Sequence, residues 1–387
     1  MGRMIREEIL NFRKNKCCTL LGVGPMSTNC IDTAIDIANE YDIPIFLISS
    51  RRQIDCESKG KGYVNNWNTL EFSNYVKKRD KKGFIYLARD HGGPWQNPIE
   101  KNFNLKEAME SAKDSYLEDM KAGYKILHID PSIDINDNPD TNEILDRAFE
   151  LYEYCWEQSQ KMNIDIAFEI GTEEQSGSTN CLEEFEYNLD KMTNFCAKNK
   201  IPTPLFVVAQ TGTKVMEMKN IGSFESPIRV ENEIPAEIQL PKVLEICKKF
   251  NVLMKEHNAD YLSNESLQWH PKLGIPAANV APEFGVTESK TFLKILEENN
   301  LTKLANDFIQ ISYDSMKWKK WIIKGSKIDD KNKAIIAGHY VFSSKDFLEL
   351  KSKAFIELNR KGLNLDKLLC EEIKKTILRY IKNFNLI

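Results

Sequence analysis

The chain has 387 residues, 28% of them charged and 42% hydrophobic, the balance of a soluble globular protein with room for one large barrel plus extensions or for two domains. A formal net charge of −4, without any basic-aromatic patch, argues against nucleic acid as a partner. The opening residues Met1-Gly-Arg-Met-Ile-Arg-Glu-Glu8 have no apolar core, so no signal peptide or membrane span is expected. The nine cysteines lack framework spacing and read as reduced thiols of a cytoplasmic protein.

In chain order, residues 1–15 read as a short lead-in helix. Cys17 to Val23 is a buried strand closed by Gly24-Pro25, and Ser27 can cap an amphipathic helix carrying Ile31, Ala34, Ile35 and Ala38. A second strand, Ile43 to Ser50, ends in Arg51-Arg52, and a glycine- and asparagine-rich loop leads to a helix at 69–79. The third strand, Gly83 to Ala88, runs into Asp90-His-Gly-Gly-Pro-Trp-Gln96. A helix at about 104–122 stops at Gly123, and Tyr124 to Asp130 is the fourth strand, ending in Asp130-Pro-Ser132. A helix at 140–162, a strand from Ile164 to Ile170 and a polar loop containing Glu173 and Glu174 follow. Then come a helix at 182–199, a strand from Pro204 to Gln210 continuing into Thr211-Gly212, and a helix from Pro241 to Phe250. Asn251 to His257 and Gly274 to Val280 are the last two strands, with a helix at 287–299 behind them.

Eight short apolar runs alternating with amphipathic helices predict parallel strands covered on both faces. The count of eight points to a (β/α)₈ TIM barrel over residues 1–300, lead-in helix included, with a doubly wound sheet as the competing arrangement. Residues 301–387 read as a helical extension that packs on the barrel or on a partner subunit, with Trp318 and Trp321 on its apolar face.

On the barrel reading the strand ends converge on one face and deliver Asp90, His91, Asp130, Ser132, Glu169, Gln210, Thr211, His257 and Asn279. Two histidines and a carboxylate from three strand ends, His91, His257 and Glu169, can hold one divalent cation with a position left open for substrate oxygens. A lone His257 would more often be a satisfied structural histidine; the constellation carries the metal reading. His128 shares the face of Asp130 and is read as packing or as support near the metal. His270, beside Pro271 in a loop, and His339 are read as non-catalytic. Glu173 and Glu174 are either solvated carboxylates or bases brought in by a closing loop. Arg51, Arg52 and the amides of Gly212 and Gly285 are candidates for a phosphate or carboxylate.

Asp90-His-Gly-Gly-Pro-Trp-Gln96, Ala122 to Ser132, Phe168-Glu-Ile-Gly-Thr-Glu173 and His257-Asn-Ala-Asp-Tyr261, in that order, resemble the non-catalytic subunit (Z-type) of bacterial tagatose-bisphosphate aldolase. That family is similar to the zinc-dependent class II ketose-bisphosphate aldolases. The resemblance implies a TIM barrel, Zn²⁺ as the cation, Asp90 as the acid at the C4 hydroxyl, His91 and His257 as metal ligands with Glu169 close by, and Glu173 as proton carrier. It departs from the class II pattern at Gln210-Thr211-Gly212, where a third histidine would stand. It departs again at Asn258-Ala-Asp-Tyr261, where a glycine-serine phosphate loop would stand.

The sequence reading is therefore a metal-dependent, aldolase-like lyase on a ketose or ketose phosphate, with Arg51, Asp130, Ser132, Gln210, Thr211 and Asn279 toward substrate. A C4 epimerase of a ketose phosphate or keto-uronate, by the same retro-aldol route, stays open. So does a stabilising role beside a separate aldolase subunit. A homo-oligomer is expected on class grounds.

Overall fold

The computed structural model describes residues 4–171, 181–209, 213–221 and 236–387. Eight parallel strands close a barrel: β1 (Leu20–Val23), β2 (Ile45–Ser50), β3 (Ile85–Gly92), β4 (Ile126–Ile129), β5 (Ala167–Ile170), β6 (Phe206–Ala209), β9 (Leu253–Glu256) and β10 (Ala277–Val280). Each strand lies beside its neighbour in sequence, and β1 pairs with β10 to shut the ring. Between β6 and β9 the chain forms an antiparallel hairpin, β7 (Lys214–Met216) and β8 (Lys219–Ile221), which the apolar pattern did not announce. The barrel and its helical extension match the fold class expected from sequence.

The local signals act where they were read. Ser27 Oγ accepts the Cys30 amide at the start of the helix Thr28–Tyr41, and Gly123, at φ 92°, ends the helix Leu105–Ala122. Asn68, Asn104 and Asp140 each open a helix with a reciprocal capping box. Strands β1, β4, β5 and β10 are buried at every position, as parallel strands between barrel interior and helices must be. One expectation fails: His270 and Pro271 lie inside the helix Asn264–Leu273, where the buried His270 ring is held by the Ser266 carbonyl and by Glu256 and the helix runs through the proline to the Gly274 stop.

The last helix, Leu365–Asn383, packs against the helices Thr28–Tyr41 and Pro282–Glu298. It puts Ile373, Ile377, Tyr380 and Ile381 into the same apolar core as the barrel. Behind it the Thr19 amide, just ahead of β1, bonds the Phe384 carbonyl at 3.0 Å, so the chain end closes the lower rim. A second apolar cluster, with the rings of Phe292, Phe308 and Phe347 in mutual T-shaped and tilted contact, joins the helices Pro282–Glu298, Thr302–Asp314 and Lys345–Asn359. All nine cysteines are free thiols, and among the described residues no helix is long and apolar enough to cross a membrane.

Candidate metal centre

Neighbouring residues on a strand point to opposite faces, so Asp90 and His91 cannot both look into a barrel from a regular strand. β3 breaks its register against β4 between Arg89 and Gly92, and His91 takes a positive φ of 45°. The irregularity turns both side chains toward one cavity at the carboxyl end of the barrel. Two glycines make it possible. A Cβ on Gly92 would stand 2.5 Å from the Tyr116 ring, and one on Gly93, at φ 128°, would stand 2.1 Å from the Asp130 carbonyl oxygen. The sequence Asp-His-Gly-Gly is thus a steric unit.

Around that bulge the described residues form a compact donor cluster of Asp90, His128, Glu169 and His257. His257 Nε2 lies 3.3 Å from Glu169 Oε1 and 3.9 Å from Asp90 Oδ1. His128 Nδ1 lies 3.8 Å from Asp90 Oδ1 and 3.9 Å from Glu169 Oε1. Donor atoms around a tetrahedral ion at ordinary Zn–N and Zn–O lengths stand about 3.3 Å apart, so these spacings are close to a ligand cage. The three imidazoles of His91, His128 and His257 face one another at centroid distances of 5.2 to 5.6 Å. His91 also groups with His128 and Asp130: its Nδ1 bonds Asp130 Oδ2 at 2.7 Å, while Nε2 points toward Asp90 at 3.9 Å. A carboxylate on one ring nitrogen that leaves the other for an ion is the usual support of a metal-binding histidine. His128 Nδ1 accepts the His91 backbone amide at 3.1 Å, which sets its ring beside the cluster, while its Nε2, against Gly171, and Asn279 Oδ1, against Gly22, are buried with no hydrogen-bond partner among the described residues. Nitrogen and oxygen donors in this arrangement fit a divalent first-row ion such as Zn²⁺.

The charges keep the two carboxylates and His257 in ligating form, but not His91. Burial would raise the Asp90 carboxyl, but His91, His128 and His257 outweigh it and hold it well below the usual carboxylate range. Burial works the same way on Glu169, and Lys255, then the histidines, bring it down to about 2. Lys255 is 1% exposed, donates to Glu169 Oε2 at 2.6 Å and sits over the rings of Phe46 and Phe206 inside the barrel. Burial lowers the pKa of His257, leaving a neutral ring whose Nε2 accepts from Asn279 Nδ2 at 3.2 Å. Burial would lower His91 too, but Asp90, Asp130 and Glu169 raise it to about 9, so an ion at its Nε2 competes with a proton.

The other residues picked from sequence fall into three groups. Asp130, Ser132 and Asn279 line a cavity of ≈ 570 Å³ together with Asp90, His91 and His257. Asp130 is largely occupied: it accepts from His91, Gln96 and Ser132, which makes it the brace of His91. Asn279 Nδ2 bridges His257 and Asp90, and Gly22 leaves room for its amide. Arg51 does not reach the cavity. It is 1% exposed, paired with Asp55 at 2.9 Å and Glu100 at 2.5 Å, and donates to the Gly93 carbonyl at 2.7 Å, bracing the bulge from behind. Gly285 is likewise unavailable, since it sits in the helix Pro282–Glu298 against the His339 side chain, and Asp260 takes the amides of Ala281 and Glu283 at that helix start. Glu173, Glu174, Gln210, Thr211 and Gly212 lie outside the described residues.

His128, read from its period-two relation to Asp130 as packing or as support near the metal, is a member of the donor cluster itself, paired in register with Glu169 across β4 and β5. Two further contributors were not read from sequence. Lys255 stands two residues before His257 on the same face, a position in the strand Leu253–Glu256 that the alternation could have flagged. The roof of the cavity comes from the β7–β8 hairpin and from Lys320, Trp321, His339 and Tyr340 of the C-terminal region. The hairpin is tied to this region by the Glu217 amide on the Trp321 carbonyl.

No family model matches the sequence. Among solved structures, a probable tagatose 6-phosphate kinase from Sinorhizobium meliloti 1021 superposes with a TM-score of 0.75 at 16% identity, over 94% of this chain and 100% of that one. The fructuronate-tagaturonate epimerase UxaE from Cohnella laeviribosi gives 0.60 at 11% identity, over 98% and 86%. A fructose-bisphosphate aldolase from Campylobacter jejuni gives 0.56 at 11% identity, over 100% and 95%. At these identities the likeness establishes the fold: the chain is a (β/α)₈ barrel of the same architecture as these proteins, over nearly its whole length.

Proposed function

We propose that this chain is a metal-dependent enzyme of class II aldolase type, acting on a ketose or ketose phosphate by C3–C4 retro-aldol chemistry. The observation that carries the proposal is the cluster of Asp90, His128, Glu169 and His257 at the floor of the ≈ 570 Å³ cavity, with His91 held beside it by Asp130. His91, His257 and Glu169 would hold the ion, Zn²⁺ on the resemblance described above, with His128 as a further donor. When bound, the ion supplies Lewis-acid polarisation of a ketose carbonyl and offsets the negative charge that develops as the carbon–carbon bond breaks.

The chain's own residues do the rest. Asp90 is anionic, faces the cavity and is fixed by Asn279 at 3.3 Å, so it can take the C4 hydroxyl proton while the C3–C4 electron pair moves to C3. Asp130 keeps His91 in one orientation, and Lys255 does the same for Glu169. Glu173 is the second proton carrier of the proposal, at the nucleophilic carbon. Departure of the aldehyde makes the chain an aldolase; rotation and re-addition on the opposite face make it a C4 epimerase with the same residues.

Carbon-13 NMR of C4-labelled ketoses and ketose phosphates with the purified, zinc-supplemented chain tests the reading. A label that moves to an aldehyde or to an epimeric carbon in the wild type, and stays put with Asp90→Asn, is the expected result. A label that stays put across the panel with the wild type overturns it and favours a stabilising subunit for a separate aldolase.

A further inference from the structure

The roof of the cavity carries charge of the opposite sign to its floor. Asp90, Asp130 and Glu169 cluster below, whereas Arg52 and Lys320 lie on the wall above, beside Tyr340 and Trp321. Neither cationic side chain pairs with a carboxylate among the described residues. Lys320 instead rests its ammonium over the rings of Trp321, at 4.5 Å, and Tyr340, at 5.5 Å. Desolvation of the ammonium, with Arg52 and Lys317 as neighbouring cations, lowers its pKa to about 8.

His339 stands behind it. It is 2% exposed, lines the cavity, and its Nδ1 has no hydrogen-bond partner among the described residues. Burial, with Lys320 beside it, keeps this ring neutral, its pKa reduced to about 3. The two cations, exposed and without a carboxylate partner among the described residues, give this end of the cavity a positive potential that suits an anion, with the His339 ring, seated against Gly285, as part of the wall. The scaffold is firm: Trp321 Nε1 donates to Tyr340 Oη at 3.2 Å, and the Tyr63 and Tyr340 rings pack at 5.0 Å.

We propose that Arg52, Lys320 and His339 form a subsite for the anionic end of the substrate, a carboxylate or phosphate, remote from the metal cluster. The inference rests on the proposed function for which end of the ligand reaches the floor; the subsite itself stands on the roof residues. It makes the C-terminal region a determinant of substrate class: the extension supplies two of the three recognising groups. A neutral, carbonyl-bearing end fits the floor, where carboxylates would repel a second anion, and a charged end fits the roof. The volume of ≈ 570 Å³ lies in the small-ligand range.

The test uses three open-chain probes that differ in one terminal group: D-glucitol, D-gluconate and D-glucitol 6-phosphate. Their affinities for the full chain are measured by isothermal titration, with zinc and after chelation. One or both anions should bind at least about tenfold tighter than glucitol, and the tighter of the two identifies carboxylate or phosphate as the preferred group. Arg52→Gln and Lys320→Gln should each weaken that anion about 10- to 100-fold, as expected for loss of a charge-assisted hydrogen bond, and leave glucitol unchanged. Lys320→Arg should restore binding. Equal affinity for anionic and neutral probes, no binding of any probe, or unchanged anion affinity in both glutamine variants overturns the subsite. Retained anion selectivity in a chain that moves no C4 label would overturn the proposed reaction and leave the subsite standing.

Discussion

Lys255→Met removes a fixed positive charge inside the barrel. The ammonium lies 2.6 Å from Glu169 Oε2, with both side chains at most 1% exposed. Removing one partner of such a pair leaves a buried carboxylate uncompensated, which costs about 3–5 kcal/mol, whereas removing both costs much less. The sign agrees with the titration: against burial, Lys255 first and then His128 and His257 bring Glu169 down from 4.5 to about 2. Because the folded pKa is depressed, the contribution is fully present above 4.5 and is lost as pH falls toward 2. Urea unfolding of the chelated protein at pH 7.5 should therefore show Lys255→Met losing about 3–5 kcal/mol. The double variant Lys255→Met/Glu169→Gln should lose clearly less than the single one. Zinc should recover part of the loss in the single variant, since an ion beside Glu169 replaces the missing positive charge. A single-variant loss under about 1 kcal/mol, or a double variant less stable than Lys255→Met alone, would refute the reasoning.

Three further outcomes follow from the same geometry. Asp260 is buried beside Glu283, and burial, then that neighbour, raises it from 3.8 to about 7, so its folded form loses stability as pH climbs through that window. Asp260→Asn keeps an acceptor for the Ala281 and Glu283 amides. Relative to wild type it should gain about 2–3 kcal/mol between pH 5 and pH 8 in urea unfolding; a pH-independent difference would contradict this. Gly93→Ala pushes a methyl into the Asp130 carbonyl at a left-handed φ. A loss of at least about 2 kcal/mol with weakened zinc binding is expected, and an alanine variant with wild-type zinc affinity would contradict the steric account of the bulge. His128→Gln should lower zinc affinity about 10- to 100-fold in competition with a chromophoric chelator; an unchanged affinity removes His128 from the donor cluster.

What the sequence disclosed depended on how local the determining physics was. The eight barrel strands, Ser27 as a cap and Gly123 as a stop were legible because apolar runs and terminal residues act within a few positions. Asp90, His91, Glu169, His257 and Asn279 were legible as strand-end residues, and the structure places all five around one point. The bulge that lets Asp90 and His91 act together was not, because it depends on Tyr116 and Asp130 from other elements. Arg51 and Arg52 look alike in sequence; Asp55 and Glu100 bury the first, and Glu100 is 49 residues away. The β7–β8 hairpin has strands of three residues, too short for alternation to register. The roof residues Lys320 and His339 lie in an extension that read only as helical, and nothing local ties them to a cavity whose floor is drawn from strands as far back as the one that carries Asp90.

The most direct test of the central claim, that this cluster is a metal centre, is titration of the chelator-stripped chain with Zn²⁺ alongside His257→Gln and Glu169→Gln. The account predicts one tightly held ion per wild-type chain and an affinity at least about tenfold weaker in both variants. A wild-type chain that takes up no zinc, or variants that bind it as tightly as wild type, would contradict it.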